Sequence, residues 1–338
     1  MQKEINLSEK IFVAGANGMV GSAVCRELIN SGYGKKENNA LLLVPSRKEL
    51  DLLNYAEVNN WFTLNKPSVV ILAAAKVGGI QANNQRPGEF ILENLKIQNN
   101  VIELAWRHGV KKFLFLGSSC IYPKYAKQPI EESSLLKEEL EPTNESYAIA
   151  KISGIKLCQA LRKQYQFNAI SLMPTNLYGP GDNYHPENSH VMAALIRKFY
   201  IASRDSLKSV KCWGTGSPYR EFLHVDDLAN AVIFALENWN PDSKNAPRDK
   251  NGEPLLILNV GSGKDLTIKD LALKIAYHVD YKGDIIWDSN KPDGTPRKLL
   301  NIEKIKSLGW DPKIDLDDGI VQTIKLLKNK NKSDDFYL

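Results

Sequence analysis

Cysteine is scarce, with only Cys25, Cys120, Cys158 and Cys212 in 338 residues. They are widely spaced and no pair stands at metal-ligand spacing, so neither a disulfide framework nor a metal site is expected. Long apolar runs are missing as well; none approaches the roughly 20 residues that cross a membrane. The opening stretch MQKEINLSEK is too polar for a secretory leader, and with the sparse cysteines it predicts a reducing, cytoplasmic setting. Clusters of arginine interleaved with aromatics are also lacking. The formal charge of +5 is dispersed, which argues against a nucleic-acid surface and leaves a mild attraction for small polyanions. No internal repeat is visible.

What is present is ordinary globular composition, 43% apolar and 25% charged, in a length that suits one large domain or two intimate ones. Short β-type runs alternate with amphipathic stretches: KIFVAGA, a helix from about Met19 to Ser31, ALLLVP, a helix near Tyr55 to Asn65, and VVILAAA. KKFLFLG and NAISLMP follow, each after a helical segment. This alternation predicts an α/β fold, a Rossmann-type doubly wound parallel sheet over residues 1–175, with ligands at the carboxyl ends of the strands. After Pro174 the pattern breaks into a Gly-, Pro- and Asn-rich loop from Asn176 to Ser189, then a helix near Val191 to Ala202. Helices near Asp226 to Asn238 and Ile268 to His278, with the short strands LLILNVG and DIIW, predict a smaller C-terminal α/β substrate lobe over 176–330. Its boundary is soft, so some segments can return to the first domain. Residues 331–338 read as a solvated tail.

GANGMVG, from Gly15 to Gly21, follows the first strand and opens the first helix. The glycines Gly15, Gly18 and Gly21, in a G-x-x-G-x-x-G spacing, permit a tight turn and a close approach of pyrophosphate to the helix N-terminus. Dinucleotide sites that prefer NAD usually place a carboxylate after the second strand. Here Ser46, Arg47 and Lys48 stand there instead, and a guanidinium suits a 2′-phosphate, so NADPH is the expected cofactor. Tyr147 and Lys151, in YAIAK, lie four residues apart on one helix face, and Ser118 arrives from the end of KKFLFLG. A phenol beside an ammonium can hand a proton to a carbonyl oxygen that a serine holds, while a reduced nicotinamide supplies hydride.

In this order the motifs resemble the extended short-chain dehydrogenase/reductases, and within them the GDP-L-fucose synthase family. The resemblance rests on AAAKVGGIQANN, FLGSSCIYPK, EPTNESYAIAKISGIKLC, MPTNLYGP, NSHV, REFLHVDD and KPDGTPRK, and it runs from about Gly15 to Trp310. It implies NADPH-dependent reduction of the 4-keto group of a GDP-linked keto-sugar, in nucleotide-sugar biosynthesis that can feed a capsule or surface polysaccharide. It also implies a homodimer, in which the YAIAK helix and the one near Glu93 to Arg107 form a four-helix contact. Asn17, Met19, Val20, Asp51, Leu52, Ala74 and Lys76 fall at cofactor positions, Asp51 toward the adenine and Ala74 and Lys76 toward the riboses. Asn17 replaces an arginine that the family often carries. Asn176, Val191, Lys198, Trp213, Arg220 and Lys298 fall at nucleotide-sugar positions, with Lys198 in place of the usual arginine; Trp213 can equally be a core residue and Lys198 a surface one. Cys120 and His190 match a base and an acid that exchange protons beside the keto group in 3,5-epimerisation. Three readings stay open: a reductase that also epimerises, a reductase-only enzyme for a GDP-4-keto-heptose served by a separate epimerase, and a non-catalytic NADP-binding regulator.

Overall fold

The computed structural model describes residues 3–330 apart from 39, 187 and 292; the expected tail at 331–338 lies outside the described residues. The elements run β1 (Lys10–Ala14), α1 (Met19–Asn30), β2 (Leu41–Leu43), α2 (Tyr55–Asn65), β3 (Val69–Leu72), α3 (Ile80–Gln85), α4 (Pro87–Arg107) and β4 (Lys112–Leu116). Next come α5 (Glu145–Tyr165), β5 (Ala169–Pro174), β6 (Asn176–Tyr178), α6 (Val191–Arg204), β7 (Ser209–Trp213), β8 (Tyr219–His224) and α7 (Val225–Asn238). The chain closes through β9 (Ile257–Val260), β10 (Asp265–Thr267), α8 (Ile268–His278), β11 (Asp284–Asp288), β12 (Arg297–Lys298), α9 (Glu303–Ser307) and α10 (Leu316–Lys330).

Among the described residues a parallel sheet runs in the order β2-β1-β3-β4-β5-β9. Its middle strands, VVIL in β3, KFLFL in β4 and AISLMP in β5, are buried along their whole length. Continuous apolar runs of this kind belong to a sheet covered on both faces, since water reaches neither set of alternating side chains. Helices α2, α4 and α5 pack with one another in one layer, and α1 packs with α7 in the other. The strand order reverses between β1 and β3, and the crevice at that reversal is where open α/β sheets take their ligands.

A second apolar cluster joins Leu195, Ile196 and Phe199 of α6 to Leu271 and Ile275 of α8 and to Ile320 and Ile324 of α10. Beside it β8 pairs with β6, β10 and β12, while β7 pairs with β11. Two expectations are corrected here. The LLILNVG strand and the 226–238 helix, grouped by pattern with the lobe, return to the first domain, as the soft boundary allowed: β9 is the last strand of the parallel sheet, next to β5, and α7 lies against α1. ILNV is wholly buried and α7 carries Leu228, Ala229, Val232 and Leu236 inward, so both are built for a covered sheet. The segment 176–189 is also not all loop, because Asn176–Tyr178 pairs in register with Phe222–His224.

Candidate active site

The glycine turn is held by space rather than by side chains. Gly15 has φ +90°, and a Cβ there would stand 2.6 Å from the Ala74 backbone nitrogen, so β1 and the chain leaving β3 touch at the sheet reversal. A Cβ on Gly21 would stand 2.0 Å from the Gly15 carbonyl oxygen. Gly18 differs: its nearest neighbour would be 3.5 Å away, and its N–H donates to the Gly15 carbonyl at 3.0 Å while it caps α1. Asn17 and Gly18 are exposed, Met19 and Val20 form the first turn of α1, and that turn carries no acidic residue. The cradle therefore fits a pyrophosphate: open backbone, a helix N-terminus and no competing carboxylate.

Around it, Arg47 is exposed and has no hydrogen bond or ion pair among the described residues. The neighbouring Ser46 N–H donates to the Glu49 carboxylate at 2.7 Å, which keeps the turn closed and pulls the Glu49 pKa down. Asp51 accepts the Leu53 N–H at 3.1 Å, and the Leu52 carbonyl accepts from Asn100 at 2.9 Å. Lys76 is more committed than its motif suggests. Its ammonium bridges Glu89 and Glu93 of α4, which raise its pKa, and its N–H donates to Asn94.

Ser118 follows β4 and caps a short 3₁₀ turn, its Oγ accepting the Cys120 N–H at 3.2 Å. Tyr147 and Lys151 sit one turn apart near the start of α5. Burial pushes the Tyr147 phenol well above its ordinary range and the neighbouring Cys120 adds to that, while a hydrogen bond with Ser118 opposes both. The phenol thus keeps its proton at neutral pH and stands ready as a donor. Lys151 is 4% exposed; its ammonium donates to the Leu116 carbonyl at 2.8 Å and lies 4.8 Å from the Phe115 ring centre and 5.9 Å from that of Tyr147. Burial brings its pKa down to about 8.

Cys120 is half-buried, with Asn144 donating to its sulfur at 3.7 Å and Lys298 at 3.8 Å. Strand β12 sets Lys298 beside Arg220 of β8 in parallel register. Arg220 uses its guanidinium on the carbonyls of Tyr219 and Asp293, at 2.8 and 3.2 Å. Asn176 donates to the Glu221 carbonyl at 2.8 Å. Trp213 is 46% exposed, so it is not a core residue; the ammonium groups of Lys198 and Lys291 lie 5.8 and 5.2 Å from its ring centre. Lys198 also donates to the Lys211 carbonyl at 2.9 Å.

His190 caps α6 just before Val191, its carbonyl accepting the Ala194 N–H at 2.9 Å while its ring has no hydrogen bond or ion pair among the described residues. Its ring keeps a surface open to solvent although protein surrounds it on the other sides, and that surrounding lowers its pKa. Among the described residues no hydrogen bond joins it to Cys120; nearby, the Gly79 N–H at the start of α3 donates to the Asn188 carbonyl, and α3 packs on the Pro142–Asn144 turn. The structure thus unites Ser118, Cys120, Tyr147, Lys151, Arg220 and Lys298, pairs Lys198 with Trp213, and leaves Arg47 and His190 on open edges.

Residues 11–251 match the NAD dependent epimerase/dehydratase family. The chain is 55% identical to GDP-L-fucose synthase 1 of Arabidopsis thaliana, over 94% of this chain and 92% of that protein. It is 48% identical to GDP-L-fucose synthase of Escherichia coli (strain K12), over 96% and 98%. The chain belongs to the GDP-L-fucose synthase family. Among solved structures, a GDP-mannoheptose C4 reductase from Campylobacter jejuni with NADP bound superposes with a TM-score of 0.82 at 36% identity, covering 96% of this chain and 99% of that one.

Within this family frame, reading by motif passed over Asn144, Glu221 and Lys291. Each stands inside or beside a block already singled out, NESYAIAK, REFLHVDD or KPDGTPRK. Only the fold shows that Asn144 meets the Cys120 sulfur, that Lys291 meets Trp213, and that the carboxylate of Glu221 is wholly buried.

Proposed function

We propose that the protein is an NADPH-dependent reductase of a GDP-linked 4-keto-sugar that also exchanges protons at the carbons beside the keto group. The observation that supports it best is the meeting, at the carboxyl end of β4, of a proton-loaded phenol, a serine hydroxyl bonded to it and a thiol beneath a cation. The glycine cradle, with Arg47 at its edge, is built to take NADPH, which when bound supplies the hydride. Tyr147 gives its proton to the keto oxygen, Ser118 holds that oxygen, and Lys151 favours the charge that develops on the phenol. Cys120 as thiolate takes a proton from the carbon next to the carbonyl, leaving an enolate, and His190 returns one from its protonated form.

Trp213 with Lys198 and Lys291, and Arg220 of β8, provide an aromatic face and cations for the nucleoside diphosphate. The high identity to GDP-L-fucose synthases favours a 6-deoxyhexose over a heptose; the likeness to a GDP-mannoheptose C4 reductase supports the second reading, reduction of a GDP-4-keto-heptose without epimerisation. No helix among the described residues is long and apolar enough to cross a membrane, and we place the enzyme in the cytoplasm as a homodimer. The exposed Leu92 of α4 and Ile149 of α5 suit a contact between copies through these two helices. The deciding experiment supplies GDP-4-keto-6-deoxymannose and a GDP-4-keto-heptose side by side and follows NADPH absorbance and deuterium uptake from solvent. Oxidation of NADPH with exchange on the hexose supports the first reading, oxidation without exchange the second, and neither leaves a binding protein. Light scattering at micromolar concentration tests the dimer, which a monomer mass overturns.

A further inference from the structure

We propose that Lys298 is the charge partner of Cys120, holding its sulfur as the thiolate that proton exchange requires, rather than a ligand for the substrate diphosphate. This rests on the epimerase reading above. The Lys298 ammonium meets the Cys120 sulfur and has no other hydrogen bond or ion pair among the described residues. The competing cation, Arg220, is the next strand's register partner, but its guanidinium is committed to two backbone carbonyls. Lys298 is thus the one of the pair that hydrogen-bonds the sulfur, while the Arg220 charge reaches Cys120 through space and the Tyr147 phenol faces it from α5. An ammonium at this distance favours the charged form of a thiol.

A lysine on a strand of two residues needs an external anchor to be aimed, and the structure supplies several. The Arg297 guanidinium makes a fork to Asp265, at 2.6 and 3.2 Å, and its carbonyl accepts from Gln128 at 3.1 Å. On the other side Leu299 N–H donates to Gln128 at 2.8 Å, and Leu300 N–H donates to Glu221 at 3.0 Å. Glu221 is wholly buried, and its carboxylate also accepts the Gly263 N–H at 2.7 Å; it passes so close to Gly261 that a Cβ there would stand 2.2 Å from its oxygen. Burial raises the Glu221 pKa, while the N–H groups of Leu300, Gly263 and Ser262 and the Thr175 hydroxyl oppose the rise. The carboxylate therefore ties the Lys298 segment to the ends of β5 and β9, the same sheet that carries Ser118 and Cys120. A lysine fixed against the catalytic sheet on both flanks keeps one distance to the sulfur.

The chemistry balances with solvent protons alone: the sulfur gains the proton, the carbon–hydrogen electron pair passes into the enolate, His190 reprotonates the carbon, and the thiol then gives its proton to water while His190 takes one up. The test reads the thiol itself. Full-length protein is alkylated with iodoacetamide across pH, and the Cys120 peptide is followed by mass spectrometry; Cys25, pushed up to about 11 by burial, titrates apart. Lys298→Met should move the Cys120 midpoint up by about one pH unit, roughly tenfold less thiolate at neutral pH, and Lys298→Arg should restore it. Solvent deuterium uptake should fall with the thiolate fraction while reduction of an already epimerised 4-keto-sugar is spared. An unmoved midpoint in Lys298→Met, with a higher KM for the GDP-sugar, overturns the pairing and returns Lys298 to the diphosphate. Absence of deuterium uptake in the unaltered protein instead overturns the epimerase reading, whatever the alkylation profile shows.

Discussion

The cofactor side and the substrate side of the cleft are built by different means. At the first, backbone lies against backbone: Gly15 against Ala74 and Gly21 against Gly15, at the ends of strands buried from Ile11 to Ala14 and from Val69 to Leu72. At the second, cations on α6, β8 and β12 rest on acceptors within the chain, Lys198 on the Lys211 carbonyl, Arg220 on those of Tyr219 and Asp293, and Lys298 on a sulfur. One side is formed before any ligand arrives; on the other, a bound diphosphate has to draw Lys198 and Arg220 from contacts already made. Substitutions where backbone meets backbone on the first side should therefore register in stability as well as binding, and those on the second side chiefly in KM and in substrate choice.

The largest effect is expected at the seam. Tyr147→Phe removes the phenol that both sides serve, and should slow reduction by about 10²–10⁴-fold with NADPH binding retained. Stopped-flow absorbance and fluorescence titration measure the two; near-normal turnover would mean another donor.

Next comes a contrast within the cradle. Gly21→Ala sets a methyl against the Gly15 carbonyl, and overpacking of this order costs about 1–3 kcal/mol, so thermal unfolding should shift down by several degrees along with NADPH affinity. Gly18→Ala meets nothing closer than ordinary contact. It should leave the unbound protein's melting almost unchanged and weaken NADPH binding alone, because only the pyrophosphate needs that space. Equal melting losses in both would erase the distinction between a glycine the fold requires and one the ligand requires.

Much of this was legible in the chain because the cradle is local. Seven consecutive residues make the turn, and apolar runs of strand length announce the sheet around it. Remote pairing was not. The run LLILNVG is equally apolar whether it joins the lobe or the sheet, and only its partner β5 decides. The i, i+4 spacing of Tyr147 and Lys151 placed them on one face, yet said nothing of the Leu116 carbonyl that takes the ammonium. Cys120 and Lys298 are 178 residues apart, joined by the buried anchors of a two-residue strand.

Lys151 makes a smaller, pH-dependent prediction. Burial depresses its folded-state pKa to about 8, so the ammonium is present below that pH and lost above it. Without it, the charge developing on Tyr147 is less favoured, and reduction should fall about tenfold per pH unit beyond 8. Stability moves the other way: between about 8 and the ordinary lysine range the unfolded chain still holds the proton, so unfolding takes one up and stability rises with pH. Lys151→Arg should carry the kinetic limb to higher pH. A profile flat past 9 in the unaltered protein would show that the ammonium is not the group titrating.

The smallest effect belongs to Arg47, the most open of the cofactor residues. It has no partner among the described residues and stands where dinucleotide sites that prefer NAD place a carboxylate. A guanidinium there is useful only to a ligand with a 2′-phosphate, and solvent screening keeps the interaction modest. Arg47→Ala should raise the KM for NADPH by roughly tenfold or less, leave that for NADH within about twofold, and leave the melting temperature unchanged. The NADPH effect should shrink as salt is raised from low to physiological strength, since the pair is exposed. Equal changes for the two cofactors would make Arg47 a support for the turn that Ser46 and Glu49 close, and the preference for the phosphate would then have to come from Ser46 or Lys48.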